Sequence, residues 1–299
     1  MITPATVQKR QDLTAFIERE LAPEPSVQAV IGIGSIATGL ARSDSDIDAI
    51  VFLDPFDWYV VPAEFKWRRS DGTFHSIFSQ EDGLEEGNIE FDFARLDLTR
   101  WTDPSYDWPE GRCAEMCEGW MAFDCSGQVS DLIAARTAYT DEIRTVKLDE
   151  AITWLDQHLS GDGPQLRWDS LGPVIAHDRL QAAYDYLVQA LFAYNRCWRP
   201  WRNREMSSLL VLPWLPKGFA DCVLTALNAP SPDHAGYLAR ADILRTLFQD
   251  LIGRLVADGD YGDDAIGEAF IRGHDEPGRA WNMDEWNIKH LERTAARRC

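Results

Sequence analysis

Between Thr6 and Leu21 the apolar residues Val7, Leu13, Phe16, Ile17 and Leu21 recur at helical spacing, which predicts an amphipathic helix. The helix should break at "APEP", residues 22–25, where two prolines remove backbone donors and fix φ. Two short β-branched runs follow, "VQAVIGI" (27–33) and "IDAIVFL" (47–53), and both read as buried strands. A Gly-Ser segment and a short helical turn separate them. "TFHSIF" (73–78) and "NIEFDFARLDL" (88–98) alternate polar and apolar residues in part, and "GWMAFD" (119–124) adds a further strand.

From Val129 onward the period changes to that of helices. "VSDLIAARTAYTDEIRTVKLDEAITWLDQHL" (129–159) has few breakers; "DRLQAAYDYLVQALFAYNRCW" (178–198) is a second helix, stopped by Pro200. "YLARADILRTLFQDLIGRLVADG" (237–259) is a third, ended by glycine. The expected architecture is α+β: a mixed-sheet domain over residues 1–128, then a helical substrate-binding domain over 129–299. The acidic stretch "DGDYGDD" (258–264) lacks the oxygen spacing and closing Glu of a calcium loop and reads as a solvated turn.

Composition narrows the class. The chain has 299 residues, 45% of them hydrophobic, with 12 tryptophans, a composition that folds into a packed core. No apolar run approaches the ~20 residues that span a bilayer, and the first residues lack a secretory pattern, so a cytoplasmic location is expected. Six cysteines without paired spacing read as reduced thiols; Cys113 and Cys117 have no partners to complete a zinc site. A net charge of −20 argues against a backbone grip on nucleic acid. It would steer a cationic small molecule inward, or serve only to solvate the surface.

The chemistry concentrates in "GSIATGLARSDSDID", Gly34 to Asp48. A glycine at a strand end lets backbone approach a ligand closely, and the free N–H groups that follow suit phosphate oxygens. In extended chain, residues two apart share a face, so Asp46 and Asp48 project together. Two such carboxylates repel unless a cation lies between them, and the matching hard cation is Mg²⁺. Turn chemistry alone also favours "SDSD". What sets this stretch apart is its position between two strands, with the acidic run "IEFDF" downstream.

Gly34-Ser35, Gly39 and Asp46-Ile47-Asp48 within "SDIDAIV" resemble the nucleotidyltransferase superfamily related to DNA polymerase beta. The resemblance covers about fifteen residues and is nearer to the bacterial branch holding aminoglycoside and lincosamide nucleotidyltransferases and minimal nucleotidyltransferase domains. It implies transfer of a nucleoside monophosphate from a nucleoside triphosphate, with release of pyrophosphate and two Mg²⁺ as cofactors. By resemblance Gly34 and Ser35 contact the triphosphate, and Asp46 and Asp48 hold metal. A third carboxylate on a later strand is implied, and "IEFDF" offers Asp92 and Glu90. Both lie on one face, opposite Ile89, Phe91 and Phe93, so register alone leaves the choice open. The shorter Asp92 is preferred, against the alternative that both line the solvent face of an edge strand.

"NRCWRPWRNR" (195–204) gathers four arginines in an otherwise acidic chain. The resemblance, in which the helical domain carries a comparable Asn, basic and Pro stretch facing the nucleotide, implies that Arg199, Arg202 or Arg204 neutralises triphosphate; cations favouring a helix C-terminus, with ion pairs to the acidic surface, explain them equally well. Trp198, Trp201 and Trp214 read as core or domain interface, and His177-Asp178 as a helix start rather than a dyad. Serine-hydrolase, Walker and dinucleotide glycine patterns are absent. The expected reaction is in-line attack of an acceptor hydroxyl on the α-phosphorus, with a small, aminoglycoside-like antibiotic as acceptor. No nucleic acid or membrane partner is expected. The rival reading is an antitoxin-type regulatory module that binds or nucleotidylates a partner protein.

Overall fold

The computed structural model describes residues 2–78, 88–227 and 231–273, with 287, 288, 290 and 291. It contains two compact units: Met1–Ala138 with Trp198–Trp201, and Tyr139–Cys197 with Arg202–Cys299.

In the first unit, α1 (Pro4–Phe16) runs on into a single π-helical turn, Ile17–Leu21. Thr3 caps it, its Oγ1 accepting the Thr6 N–H at 3.1 Å, and Pro4 occupies the first turn, where no donor is needed. Six strands follow: β1 (Val27–Gly32), β2 (Ile47–Leu53), β3 (Glu64–Arg68), β4 (Thr73–His75), β5 (Asn88–Asp97) and β6 (Trp120–Asp124). They form one mixed sheet in the order β4-β3-β5-β2-β1-β6, in which β2 and β5 run parallel and every other pair is antiparallel. Five of the strands match the sequence reading. β3 does not; its signal is the strict alternation of "EFKWR", five residues long.

Each face of the sheet has its own core. Ile47, Ala49, Val51 and Leu53 of β2 join Phe65, Trp67, Phe91 and Phe93 against Leu13, Phe16, Ile17 and Leu21. Phe16 lies at the centre, its ring 4.7 Å from Phe91 and 5.1 Å from Trp67, edge-on to the latter. Burying each such side chain contributes roughly 1.5–3 kcal/mol, which is why a half-polar sheet strand needs α1. On the opposite face Ile31, Ile33, Ile50 and Phe52 pack with Trp101, Met116, Val129 and Ile133. These come from α3 (Leu98–Thr102), α4 (Glu110–Glu118) and α5 (Gln128–Arg136).

The second unit is helical: α6 (Asp141–Leu159), α7 (Gly163–Leu171), α8 (Pro173–Tyr194), α9 (Arg202–Leu209), α10 (Phe219–Leu227), α11 (His234–Asp258) and α12 (Ala265–Gly273). The run predicted as one helix over 129–159 is two, α5 and α6, interrupted at 137–140. The predicted 178–198 helix begins earlier and stops at Tyr194. Leu148, Ile152 and Leu155 of α6 meet Leu187, Leu191 and Phe248 in a continuous core. The stretch 258–264 is more than a solvated turn. Tyr261 is buried and donates to Asp149, which also receives Arg272 Nε at 2.9 Å and Nη2 at 3.0 Å. Asp260 accepts from Arg144 of α6 at 3.2 Å. These interactions tie the chain after α11 to α6. Among the described residues no helix is long and apolar enough to cross a membrane, and Cys117, Cys125 and Cys222 are free thiols.

Candidate active site

The site forms where β1 turns into α2 (Gly34–Thr38) and β2 begins. The Ile33 N–H donates to the Asp48 carbonyl at 3.0 Å, which binds the exit of β1 to the entry of β2. Gly34 then takes φ 64°, the left-handed region in which a side chain would be strained. Ser35 is half-buried, and its hydroxyl makes no hydrogen bond among the described residues. Gly39 closes the turn, its N–H donating to the Ser35 carbonyl. The turn thus presents backbone and a hydroxyl at the level of Asp48.

Sheet register supplies the acids. Asp48 lies directly opposite Asp92 across the parallel β2–β5 pair, and Asp92 lies opposite Glu64 across the antiparallel β3–β5 pair. Direct partners share a face, with Cβ atoms roughly 5 Å apart. That face is the one bearing Ile50 and Phe52, because Phe91, Phe93 and Phe65 occupy the other. Asp46 is exposed and precedes the first residue of β2. Its charge nevertheless reaches Asp92. The Asp92 carboxyl is held above the usual range, first by desolvation, then by the charges of Glu64 and Asp46, with Arg112 of α4 acting in the opposite sense.

Register also separates Asp92 from Glu90. Glu90 faces Lys66 on β3, an opposite charge, whereas Asp92 stands between two acids. β5 is an interior strand, so the edge-strand alternative does not hold. Glu64 and Arg112 are the two residues that sequence reasoning missed. Glu64 hid in the overlooked β3. Arg112 carries no local signal and enters only because α4 packs against α2 and over the Ile31–Ile33 end of β1.

The arginine-rich stretch is divided. Arg199 belongs to the first unit, where its backbone N–H donates to Glu110 Oε1 at 3.2 Å. Arg202 belongs to the helical unit and pairs with Glu205, with Asp185 at 3.9 Å. Because α8 ends at Tyr194, neither sits in a helix C-terminal turn. Trp198 donates its Nε1–H to the Thr137 carbonyl at 2.7 Å, and Trp214 stacks obliquely on Tyr194 at 4.7 Å, both structural roles. His177 is hydrogen-bonded through Nε2 to the Pro232 carbonyl (2.9 Å), between Trp168 and Tyr237.

The donor set is all carboxylate oxygen, the chemistry of hard divalent ions. Among the described residues no three His, Cys, Asp or Glu side chains converge as a ligand set.

Residues 15–92 match the family model described as "Nucleotidyltransferase domain". The matched segment opens inside α1 and closes on Asp92, so it includes Gly34–Asp48, Glu64 and Asp92, while Arg112 lies beyond it. Among solved structures the chain is similar to a nucleotidyltransferase-like protein from Exiguobacterium sibiricum 255-15, at 12% identity and a TM-score of 0.43, over 93% of this chain and 83% of that one. No curated protein matches the chain. The N-terminal unit therefore carries a segment that matches a nucleotidyltransferase domain, and a helical region follows it.

Proposed function

We propose that this chain transfers a nucleoside monophosphate from a nucleoside triphosphate to a hydroxyl of a small molecule and releases pyrophosphate. The observation that supports it is the alignment of Asp48 with Asp92 across β2 and β5, one turn away from Gly34-Ser35. In this reading Asp46, Asp48 and Asp92 hold Mg²⁺, and the Gly34 backbone and Ser35 hydroxyl hold phosphate oxygens. When bound, Mg²⁺ supplies charge neutralisation and Lewis-acid polarisation at the transferred phosphorus. We assign the proton of the acceptor hydroxyl to Glu64, exposed beside Asp92 and outside the Asp46–Asp48 pair. The net charge of −20 favours a cationic acceptor, such as an aminoglycoside-like compound.

The test is incubation with each labelled nucleoside triphosphate, Mg²⁺ and a panel of hydroxyl compounds, scoring pyrophosphate and labelled product. Release that requires both Mg²⁺ and a small acceptor, and that the double variant Asp46→Asn with Asp48→Asn loses, supports the proposal. Label transferred to a partner protein instead would favour the antitoxin-type regulatory reading. Undiminished turnover by the double variant would remove the metal-carboxylate assignment.

A further inference from the structure

After α8 the chain does something that its helical period does not foretell. Asn195 anchors the helix end, accepting the Trp214 N–H at 2.9 Å and donating to the Trp214 and Leu191 carbonyls. Arg196 then adopts φ 56°, a left-handed conformation uncommon outside glycine. After Cys197, the four residues Trp198–Trp201 pack within the N-terminal unit. Three contacts fix them. Trp198 donates to Thr137 O, the Arg199 N–H donates to Glu110, and the Trp201 indole packs against Gly111. A Cβ at Gly111 would fall 2.4 Å from Trp201 Cδ2, so glycine is what admits the ring. Glu110 and Gly111 are the first two residues of α4, and the third is Arg112.

Arg112 is poorly used by the fold. Its guanidinium lies 6.0 Å from the Trp201 ring centroid, at the outer limit of a cation–π contact. Its Nη1 is 2.8 Å from Glu115 Oε2, yet that oxygen is buried without a hydrogen-bond partner among the described residues. The pair is thus a contact of charge without alignment. Apart from that Nη1 contact, its N–H donors have no acceptor among the described residues, on a side chain only 21% exposed. Arg112 also forms no ion pair with Asp92, although α4 covers the face that carries it. A guanidinium with donors to spare, on the helix that packs over the sheet face bearing a row of acids, suits an anion between the two.

We propose that Arg112 binds the phosphate chain of the nucleoside triphosphate, and that Trp201 and Glu115 are positioning residues that hold its guanidinium toward the acidic row. The inference rests on the nucleotidyltransfer reading. The sheet face carries Asp48, Glu64 and Asp92, with Asp46 just ahead of β2, and a triphosphate can approach these acids only if cations meet it from more than one side. Mg²⁺ supplies charge beside the carboxylates, and Arg112 supplies a planar fork from above. Glu115 restrains the fork by charge, and Trp201 limits its rotation from the other side.

The probes are inorganic tripolyphosphate and a nonhydrolysable nucleoside triphosphate, each with Mg²⁺, titrated calorimetrically into the full chain. Loss of one charge-assisted contact should weaken binding in Arg112→Gln by about 10- to 100-fold, and Arg112→Lys, which keeps charge without the fork, should recover part of it. Trp201→Leu should weaken binding several-fold in the wild type and not at all on the Arg112→Gln background, with Trp201→Phe nearer normal. In turnover these variants should raise KM for the triphosphate more than they lower kcat. Melting curves of each variant report whether the fold survives. If the wild type binds both probes and Arg112→Gln binds them equally well, the proposal is overturned and the nucleotidyltransfer reading stands. If Trp201→Leu adds its full effect to that of Arg112→Gln, Trp201 has a structural role only, and the positioning part fails. If the folded wild type binds neither probe, both this proposal and the reading beneath it fall.

Discussion

Replacing Asp92 by Asn should stabilise the protein when divalent ions are removed, although the residue is placed at the centre of the site. Asp92 stands between Asp48 and Glu64 in the sheet and feels Asp46 as well. Its carboxyl is held above the usual range by desolvation and by the Glu64 and Asp46 charges. The folded state therefore disfavours the ionised form, and at neutral pH the charge weakens the fold. At separations of about 5–6 Å in a solvent-rich setting, each like-charge pair costs roughly 0.7–1 kcal/mol before screening. A Debye length of about 8 Å at physiological salt removes a good part of this. Arg112 offsets a further share. A net gain of about 1 kcal/mol remains for Asp92→Asn, or about 2–4 °C in Tm for a unit of 150–250 residues. Scanning calorimetry at pH 7.5 and low salt, with EDTA and then with 10 mM MgCl₂, would show it. The wild type should gain about 1.4 kcal/mol from Mg²⁺ if its Kd is near 1 mM, and Asp92→Asn clearly less, so the two curves converge. An Asp92→Asn protein that melts below the wild type in EDTA would refute the reasoning. So would one that gains the full Mg²⁺ increment.

Three further outcomes are expected. Glu64→Gln should lower kcat by roughly 10²-fold or more, as loss of a general base does, whereas Glu90→Gln, opposite Lys66, should stay within a few-fold of the wild type in the same pyrophosphate assay. His158 is buried and its pKa is pushed down to about 4, chiefly by desolvation and then by Arg167 and Arg179; the unfolded chain takes up the proton first, so stability should fall as pH drops from 6.5 to 4, by up to about 3 kcal/mol. Urea titrations at several pH values should show that slope in the wild type and lose it in His158→Gln. Asp149→Leu leaves the Arg272 fork and the Tyr261 hydroxyl without their acceptor, and should cost about 2–4 kcal/mol by denaturant melts; a change under 1 kcal/mol would mean that solvent replaces the carboxylate.

What the sequence determined by itself is local. The Gly34-Ser35 turn, the Asp46–Asp48 pair and their flanking strands lie within fifteen consecutive residues, where period and turn chemistry govern conformation. The alternation in "IEFDF" likewise fixes Phe91 and Phe93 on one face and Asp92 and Glu90 on the other, whatever the sheet around them. Period does not reveal which residue lies across the gap, because register is set by pairing between strands distant in sequence. Only the tertiary structure could put Glu64 and Asp48 on either side of Asp92 and give Glu90 a lysine partner. The same holds more strongly for α4 and Trp198–Trp201. Arg112 has no motif, and the chain after Tyr194 looks like the tail of a helix until Asn195 and Arg196 turn it. Trp201 then reaches Gly111, ninety residues earlier, through a contact that exists only because one position lacks a Cβ.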